Sequence, residues 1–412
     1  MIITIERLGH LGDGIANVAG EGIFAARTLP GEVIEGEVTE SRMAAPRIVT
    51  PSADRVSAPC RHYKSCGGCA LQHASDPFVA AWKVDVVRRA LTAQGLDAPF
   101  RAIHTSPPYS RRRATLAGRR LKSGALVGFH GRASGTMTAV PDCHLLDPAL
   151  TAAFPLLEDL TARFASRKGE IALTVTHAAA GLDIAVTGGK PLDDALRAEL
   201  GAWAGANPVA RLAWDAEIVA QAAPPTQPFG RAHVAPPPGA FLQATPQGEG
   251  ALLAAVRDAV GDSRRVVDLF AGSGTFTLPL AETAEVLAVE GEAPMLAALD
   301  TGWRQAPHLR RVTTQARDLF RRPLLPPEFK GYDAVVIDPP RAGAEAQVSE
   351  LAQSDMPVIA ALSCNPVTFA RDAKILIDGG YVLNWVQVVD QFRWSPHVEL
   401  AARFTKPHMP RN

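Results

Sequence analysis

Beyond residue 241, short apolar runs alternate along the chain with segments in which apolar residues recur at helical spacing. The apolar runs predict strands and comprise RRVVDLF, AEVLAVEG, YDAVVIDPP and MPVIAALSC. The segments between them predict helices and comprise TFTLPLAE, APMLAALDTGWR and NPVTFARDAKILIDGG. Because strands that alternate with helices form a parallel sheet, we expect a doubly wound α/β domain here. Two final apolar segments, YVLNWVQVVDQF and HVELAARF, follow each other directly and predict an antiparallel pair at the edge of the sheet.

The N-terminal part of the chain has a different pattern, with short β segments between glycine-containing turns. The segments are MIITIERL, GEGIFAAR and EVIEGEVTE, and the turns are LGDGIA and TLPGE. Many short strands between such turns are typical of a small barrel, although a β subdomain that only extends the core fits equally well. This part carries more acidic than basic residues, so its charge does not indicate nucleic-acid binding.

The middle of the chain begins with a cysteine-rich stretch, CRHYKSCGGCALQH, at residues 60–73. A helix of about residues 76–95 follows and ends at a glycine, and a mixed α/β pattern continues to about residue 217. Six prolines between Pro224 and Pro238 then mark a boundary. We therefore predict three domains, at residues 1–56, 57–235 and 236–412, with the helix at 76–95 able to pack on the third.

Length and charge limit the class of protein. A chain of 412 residues exceeds the size at which one core keeps growing, which supports more than one domain. Lys plus Arg and Asp plus Glu each total 42, so net charge indicates no polyanionic partner. Locally, residues 101–132 hold eight Lys or Arg and no acid, which favours a surface that faces a polyanion. No apolar run approaches the roughly 18 residues of a membrane span, and the N-terminus lacks a signal-peptide pattern, so a cytoplasmic protein is expected.

A candidate nucleoside site lies in DLFAGSGTF, residues 268–276, where a predicted strand ends and a helix begins. Glycines there let the backbone approach a ligand, although the segment matches neither a phosphate-binding loop nor GxGxxG. Glu290 ends the next strand, where its carboxylate can accept hydrogen bonds from ribose hydroxyls. Asp318 follows the third strand, where it can meet an adenine edge. A glycine loop followed by two such acids indicates a nucleoside site rather than a simple turn.

Three further residues end or begin strands of the same domain. Asp338 in VVIDPPRAG precedes two prolines that turn the chain out of the sheet; a helix N-cap is the alternative role. Cys364 in ALSCNP opens a helix, whose dipole is expected to lower the pKa of the thiol; a buried structural cysteine is the alternative. Glu399 in SPHVELAARF is a candidate base for such a nucleophile, and otherwise an exposed strand acid.

Together these segments resemble the AdoMet-dependent RNA 5-methyluridine methyltransferases over essentially the whole chain. The DLFAGSGTF, IDPPRAG, SCNP and HVE motifs occur in the order found in that family. The resemblance implies a class I, Rossmann-like methyltransferase domain in which Cys364 adds to C6 of uracil and Glu399 removes the C5 proton. It also implies S-adenosyl-L-methionine contacts from Gln243, Phe270, Thr275, Glu290, Asp338 and Asp318, with Thr275 standing where many relatives have asparagine.

The resemblance extends to the first two domains. LGDGIA and LPGE are similar to a TRAM domain, an OB-like barrel that binds RNA. Cys60, Cys66, Cys69 and Cys143 are similar to the 4Fe-4S ligand set of the branch that acts on 23S ribosomal RNA, whereas the tRNA-modifying branch lacks the cluster. The implied partner is 23S rRNA with a uridine flipped out of its stack. A monomer is expected, although no sequence feature bears on the oligomeric state.

Alternatives to this interpretation come from the same residues. Amine methylation is disfavoured because Arg341 stands where an aromatic residue would stack the base. A uridine methyltransferase that acts on tRNA fits the catalytic motifs equally. A noncatalytic RNA-binding protein with a zinc-type site also remains, because the spacing of four cysteines does not separate zinc from an iron-sulfur cluster.

Overall fold

The computed structural model describes residues 1–407, so residues 408–412 of the predicted third domain lie outside the described part of the chain. Within residues 1–407, no helix has the length and apolar character that crossing a bilayer requires. The described chain forms four structural units, which are an N-terminal β unit, a bridging helix, a central sheet and a large C-terminal α/β unit.

The N-terminal unit consists of eight short strands in two small sheets. The strands are β1 (Ile2–Thr4), β2 (Arg7–Leu8), β3 (Gly14–Val18), β4 (Glu21–Ala25), β5 (Val33–Glu35), β6 (Val38–Thr39), β7 (Arg42–Met43) and β8 (Arg47–Thr50). Strand order is β1-β5-β8 in one sheet and β2-β3-β4-β7-β6 in the other. Their buried side chains, including Ile5, Ala25, Ile34 and Met43, form one small core between the sheets. The predicted β unit is thus present.

Helix α1 (Asp76–Ala93) connects the N-terminal and C-terminal units. It begins at Ser75, whose hydroxyl accepts a hydrogen bond from the backbone N–H of Phe78 and caps the helix. Val79 and Trp82 pack with leucines of the N-terminal unit, while Val87 and Leu91 belong to the core of the C-terminal unit. The two ends of one apolar face therefore bury themselves in different cores.

The central unit is a sheet of seven strands covered by helices. After β9 (His104–Thr105), its elements are β10 (Arg113–Arg120), β11 (Ala125–His130), β12 (Met137–Thr138), α2 (Pro148–Ala152), α3 (Phe154–Phe164), β13 (Glu170–Ala178), β14 (Gly181–Thr187), α4 (Asp194–Gly205), β15 (Val209–Trp214) and β16 (Glu217–Gln221). Strand order is β12-β11-β10-β13-β14-β15-β16, and only β14 and β15 are parallel. Helices α3 and α4 pack on this sheet through Leu157, Leu160, Leu200 and Trp203.

The C-terminal unit is a sheet of eight strands with helices on both faces. Its elements are the hairpin β17 (Gln227–Phe229) and β18 (Ala232–Val234), α5 (Pro246–Val260), β19 (Arg265–Leu269), α6 (Thr277–Leu280), β20 (Glu285–Glu290), α7 (Ala293–Gln305), β21 (Val312–Ala316), β22 (Ala334–Ile337), α8 (Glu345–Ala352), β23 (Val358–Ser363), α9 (Pro366–Asp378), β24 (Val382–Asp390) and β25 (Glu399–Thr405). A 3-10 turn lies at Pro326–Phe329.

The order of the large sheet is β21-β20-β19-β22-β23-β25-β24-β9. Strands β19 to β23 pair in parallel, as the alternating pattern predicts, and β24 and β25 form the predicted antiparallel pair. Two details differ from the prediction. Strand β25 inserts between β23 and β24, and β9 from the central part covers the outer edge of β24. The pairing brings the start of β25 beside the end of β23.

The hairpin β17–β18 precedes residue 236, at which the sequence places the start of the third domain. Its residues Phe229, Ala232 and Val234 nevertheless lie in the same core as Leu252 and Leu299 of the C-terminal unit. The proline-rich stretch therefore does not coincide with the change of core, because its prolines also flank the hairpin.

Candidate active site

Cys364 and Glu399 lie at neighbouring ends of two antiparallel strands. Ser363, the last residue of β23, pairs with Leu400 of β25, so Cys364 comes opposite Glu399 in the same register. Glu399 is 4% exposed and Cys364 is partly buried. Both line a cleft of about 1220 Å³ that runs along the carboxyl ends of the parallel strands. A nucleophile and a carboxyl group thus face one cavity, although they are far apart in sequence.

The same cleft gathers the other residues for which the sequence predicts ligand contacts. Those that line it are Gln243, Phe270, Thr275, Glu290, Asp318 and Asp338. They come from the start of α5 and from the ends of four neighbouring strands, which meet at one edge of the sheet. The structure therefore brings all of these predicted residues together with Cys364 and Glu399.

The glycine loop after β19 approaches the cleft with its backbone. Gly272 and Gly274 have φ angles of 55° and 96°, and Phe270 has a φ of 62°, which is uncommon for a residue with a side chain. The carboxylate of Glu290 accepts hydrogen bonds from the backbone N–H groups of Gly272 and Glu292, each 3.0 Å long. These two bonds orient Glu290 beside the loop and leave lone pairs on both oxygens for a ligand.

An aromatic pair lies at the far end of the cleft beside Asp318. The ring of Phe320 stands 5.4 Å from that of Phe270, measured between centroids, and is about half exposed. Asp318 accepts a hydrogen bond from the backbone N–H of Phe320 over 3.0 Å, which holds the turn. Exposed aromatic faces next to a carboxylate suit a planar base. The sequence analysis did not identify Phe320 as a site residue. The one sequence signal for it is an aromatic residue two positions after Asp318 in a polar stretch.

Carboxyl groups are concentrated in this cleft, and the environment of two of them, Asp338 and Glu399, favours the protonated form. Burial raises the pKa of Asp338 and of Glu399, and the charge of Asp338 adds to the increase at Glu399. Asp268, near the end of β19, lies outside the cleft lining and is excluded from solvent, and burial raises its pKa to about 7. The hydroxyl of Thr277 donates to its Oδ2 over 2.5 Å, whereas Oδ1 has no hydrogen-bond partner among residues 1–407.

The prediction that the helix dipole lowers the pKa of Cys364 is wrong. Helix α9 begins at Pro366 and is capped by Asn365, whose side chain accepts a hydrogen bond from the N–H of Val367 over 3.1 Å. Cys364 therefore lies one residue outside the cap. Burial, with the nearby carboxylates of Glu399 and Asp338, raises the pKa of this thiol to about 11. Desolvation and like charge thus outweigh the helix terminus.

Gln391 is a buried polar residue that the sequence analysis missed. Its Oε1 accepts a hydrogen bond from the backbone N–H of Ala244 over 2.8 Å. Its Nε2 donates to Oε1 of Gln243 over 2.5 Å and to Oε2 of Glu399 over 3.1 Å. The side chain therefore connects two of the predicted site residues. The sequence signal was the polar pair of Asp390 and Gln391 at the end of an apolar strand.

The segment after β24 is anchored by a buried ion pair. Lys83 of α1 donates to Oδ1 of Asp390 over 2.6 Å and to the carbonyl of Phe392 over 3.0 Å. Asp390 also accepts a hydrogen bond from the N–H of Phe392. Neither charged side chain of the pair reaches solvent to any significant extent. Helix α1 thereby fixes the start of the loop, residues 391–398, that leads to Glu399.

Four of the five cysteines, Cys60, Cys66, Cys69 and Cys143, lie near one another. Charge on Cys143 and Cys60 acts on both Cys66 and Cys69, and burial raises the pKa of Cys69 to about 12. The backbone N–H groups of Gly68 and Leu145 point to the sulfurs of Cys66 and Cys143 at 3.4 and 3.5 Å. None of these cysteines forms a disulfide. Within residues 1–407, no three His, Cys, Asp or Glu side chains converge closely enough to hold a metal ion.

The cysteine segment contacts the loop that precedes Glu399. Backbone N–H groups of Ala70 and Leu71 both donate to the carbonyl of Trp394, over 2.8 and 3.0 Å. On the other side, burial raises the pKa of Cys143, and the charge of Arg111, which lines the cleft, counteracts part of that increase. Displacement of the cysteine segment would therefore act directly on the loop that carries Glu399.

The basic stretch 101–132 is less available to a polyanion than its sequence suggests. Half of its eight Lys and Arg residues pair with acids from other parts of the chain, in the ion pairs Arg101–Asp258, Arg112–Glu249, Arg119–Glu170 and Arg132–Asp13. Residues 101–132 contain no acid themselves, but folding places acidic side chains from other parts of the chain beside them. Positive charge remains at the cleft, which Arg111 and Arg341 line; Arg132 lines it too but is paired with Asp13.

Comparison with known proteins agrees with this arrangement. A family model described as tRNA (Uracil-5-)-methyltransferase matches residues 237–406. An uncharacterized RNA methyltransferase of Caulobacter vibrioides is 44% identical over 98% of this chain and 99% of its own length. The 23S rRNA (uracil(1939)-C(5))-methyltransferase of Halomonas elongata is 33% identical over 96% of this chain and 88% of its own length.

A solved structure matches the whole fold. The crystal structure of a Pyrococcus abyssi tRNA (uracil-54, C5)-methyltransferase with S-adenosyl-L-homocysteine superposes with a TM-score of 0.76 at 20% identity, covering 98% of this chain and 99% of that one. The fold is thus that of a class I methyltransferase with additional N-terminal units. On the strength of the sequence relatives, the chain belongs to the RNA uracil-5-methyltransferase family.

Proposed function

We propose that this protein transfers a methyl group from S-adenosyl-L-methionine to C5 of a uridine in RNA. The observation that carries the proposal is the pairing of β23 with β25, which brings Cys364 opposite Glu399 inside the cleft of the glycine loop. A thiol and a carboxyl group facing one cavity are what methylation at a pyrimidine carbon requires.

The residues of the cleft fit S-adenosyl-L-methionine. Glu290 has free lone pairs for ribose hydroxyls, and Phe270 and Phe320 offer faces to a base. The carboxyl groups of Asp338 and Glu290 in the cleft lining suit a ligand that carries a positive charge. Gln243, Thr275, Asp318 and Asp338 complete the binding set that the family resemblance implies. When bound, the donor supplies the methyl group as an electrophile on a positively charged sulfur.

The remaining chemistry belongs to the protein. The Cys364 thiolate adds to C6 of uracil, which turns C5 into an enolate carbon able to accept the methyl group. Glu399 then takes the proton from C5, and the electrons of the C5–H bond form the C5=C6 double bond as the Cys364 sulfur leaves. Because Glu399 must be ionised to accept this proton, its raised pKa of about 8 means that its capacity as a base increases as pH rises through that value.

We also propose that Cys60, Cys66, Cys69 and Cys143 hold a 4Fe-4S cluster. Support comes from the mutual proximity of the thiols and from the N–H groups directed at two of the sulfurs, an arrangement that tunes cluster sulfurs. A zinc ion held by the same four cysteines is the alternative, and metal analysis with the absorption spectrum of anaerobically purified protein separates the two. Four cysteine ligands saturate a cluster, so its part here is to brace the loop at Trp394.

For the substrate we propose 23S rRNA, supported by the Halomonas relative at 33% identity. The alternative is tRNA, which the description of the family model and the Pyrococcus neighbour favour. The N-terminal unit, whose strands suit the proposed OB-like TRAM barrel, would contact RNA, as would Arg111 and Arg341 at the cleft around a flipped uridine. The monomeric state and the cytoplasmic location stay predictions from the sequence.

The mechanism is tested with two variants. Cys364→Ala is expected to abolish methyl transfer and the covalent RNA adduct on denaturing gels, whereas Glu399→Gln is expected to accumulate that adduct. Full activity of Cys364→Ala would refute the covalent route, and normal product release by Glu399→Gln would refute the role of Glu399.

The substrate is tested by mapping 5-methyluridine in both rRNA and tRNA from cells that lack the gene. Loss of a site in 23S rRNA, restored by the wild-type gene and not by Cys364→Ala, supports the proposal. Loss of 5-methyluridine from tRNA alone would show that tRNA, the alternative substrate, is the correct one.

A further inference from the structure

The orientation of the Gln391 side-chain amide follows from its surroundings. The backbone N–H of Ala244 can only donate, so the Gln391 atom that faces it at 2.8 Å is the oxygen. The nitrogen consequently faces Gln243 and Glu399, and each of its two hydrogens has one acceptor. Gln391 is only 2% exposed, so water does not compete for these positions. The amide has one orientation that satisfies all its neighbours.

Packing leaves Gln391 little freedom to move. Gly248, in the first turn of α5, faces it, and a Cβ at that position would lie 2.6 Å from the Cβ of Gln391. Gly248 itself donates to the capping hydroxyl of Thr245 over 2.9 Å. The start of α5 and the end of β24 are therefore in direct contact through a glycine, which holds Gln391 in place.

The fixed amide has a consequence for Glu399. Oε2 of Glu399 accepts the hydrogen bond from Gln391 whether the carboxyl is ionised or protonated, because a carboxyl carrying its proton on the other oxygen still accepts there. Oε1 is left as the oxygen that can exchange a proton with a substrate. A donor held against Oε2 also favours the ionised form, which counteracts the burial of this acid.

The same amide orients Gln243. Since Oε1 of Gln243 accepts from Gln391 over 2.5 Å, its own nitrogen is turned away from Gln391. Gln243 lines the cleft, so its N–H groups are available there as donors. The buried Gln391 side chain thus fixes which atoms of Glu399 and Gln243 face the cleft. Glu399 serves proton removal, and Gln243 serves binding of the methyl donor.

We propose that Gln391 is a positioning residue that selects Oε1 of Glu399 as the proton-accepting oxygen and orients the Gln243 amide toward the bound methyl donor. The proposal deepens the proposed function and rests on it. Gln391 touches neither reacting atom; it acts through Glu399 and Gln243. Removal of its amide should therefore slow proton removal and weaken donor binding together, while addition of the Cys364 thiolate continues.

The test compares Gln391→Met, which keeps the length of the side chain and removes the amide, with Gln387→Met as a matched control. Gln387 lies on the same strand and is partly exposed, and within residues 1–407 its side chain donates to the carbonyl of Ala102 alone. Gln391→Met is expected to accumulate the covalent RNA adduct, with release about tenfold slower, and to shift the pH profile of release to higher pH. Gln387→Met is expected to match wild type. An unshifted release profile in Gln391→Met would overturn the proposal.

Two measurements need no turnover and separate this proposal from the proposed function. Binding of S-adenosyl-L-homocysteine by calorimetry should weaken about tenfold in Gln391→Met and stay constant in Gln387→Met. The pKa of Glu399, followed by carbon-13 NMR, should rise in Gln391→Met and rise further in the isosteric variant Gln391→Glu, which also covers the case in which the methionine variant does not fold. An unchanged Glu399 pKa in both variants would contradict the inference. A wild-type protein inactive on uridine would instead refute the proposed function.

Discussion

Lys83 and Asp390 form an ion pair 2.6 Å long in which both side chains are withdrawn from solvent. The two residues lie 307 positions apart, and the pair joins helix α1 to the strand that precedes Gln391. Burial lowers the pKa of Lys83 and the charge of Asp390 counteracts that effect. The ion pair therefore attaches helix α1 to the start of the loop, residues 391–398, that leads to Glu399.

Lys83→Met should destabilise the protein by about 3–5 kcal/mol, because it leaves the buried carboxylate of Asp390 without its partner. Lys374→Met is the control, since Lys374 is partly exposed and pairs with Asp378 one turn along the surface of α9, where ion pairs contribute about 0.5 kcal/mol or less. Urea unfolding of both variants measures the difference. Equal midpoints for the two variants would contradict the importance of the buried pair.

The reactivity of Cys364 should be low in the ligand-free protein and should increase in Glu399→Gln. Burial and the carboxylates of Glu399 and Asp338 raise the pKa of this thiol to about 11, so removing one of those charges lowers it. Alkylation at pH 9 should be roughly threefold to tenfold faster in Glu399→Gln, since each unit of pKa changes the thiolate fraction tenfold.

The rate is measured by mass spectrometry of the peptide that contains Cys364, which separates it from the other four cysteines. Glu345→Gln serves as the control, because Glu345 is an exposed carboxylate on α8 that pairs with Arg371. A rate that is the same in Glu399→Gln and in wild type would show that Glu399 does not act on the thiol.

Stability should fall as pH rises through the range in which Asp268 titrates. Burial raises the pKa of Asp268 to about 7 in the folded protein, against about 4 in an unfolded chain. Between these values the folded state binds more protons, so the free energy of unfolding decreases from about pH 4 to about pH 7. Asp268→Asn lacks this contribution. The Tm of the variant minus the Tm of wild type should therefore increase between about pH 4 and about pH 7 and stay constant above that range. The exposed Asp378→Asn is the control, and a Tm difference independent of pH would contradict the prediction.

Removal of the proposed cluster from the four cysteines should loosen two separate segments. Ala70 and Leu71 donate to the carbonyl of Trp394, so disorder at residues 60–73 should reach residues 391–398. Hydrogen exchange, measured before and after chelation or in Cys69→Ser, should accelerate in both segments and stay unchanged in β13 and β14. Acceleration confined to residues 60–73 would indicate that the loop before Glu399 is held without the cysteine segment.

Local sequence patterns predicted much of this fold because the patterns depend on short-range preferences. The apolar runs of β19, β20, β22 and β23 and the glycines that follow β19 are visible in a few consecutive residues. Since the carboxyl ends of parallel strands share one edge, the strand pattern alone predicts that Glu290, Asp338 and Cys364 lie together. The cleft contains all of them. The insertion of β25 beside β23 was not visible, because strand order depends on packing over long distances in the chain.

The sequence by itself determined which chemical groups this protein carries and at which strand ends they lie. Only the tertiary structure decided their environment: it buried Gln391 against Glu399, it raised the pKa of Cys364 where a helix terminus suggested the reverse, and it neutralised half of the basic stretch with distant acids. The physical reason is that desolvation and charge pairing depend on distances in space, whereas a local pattern records only neighbours along the chain.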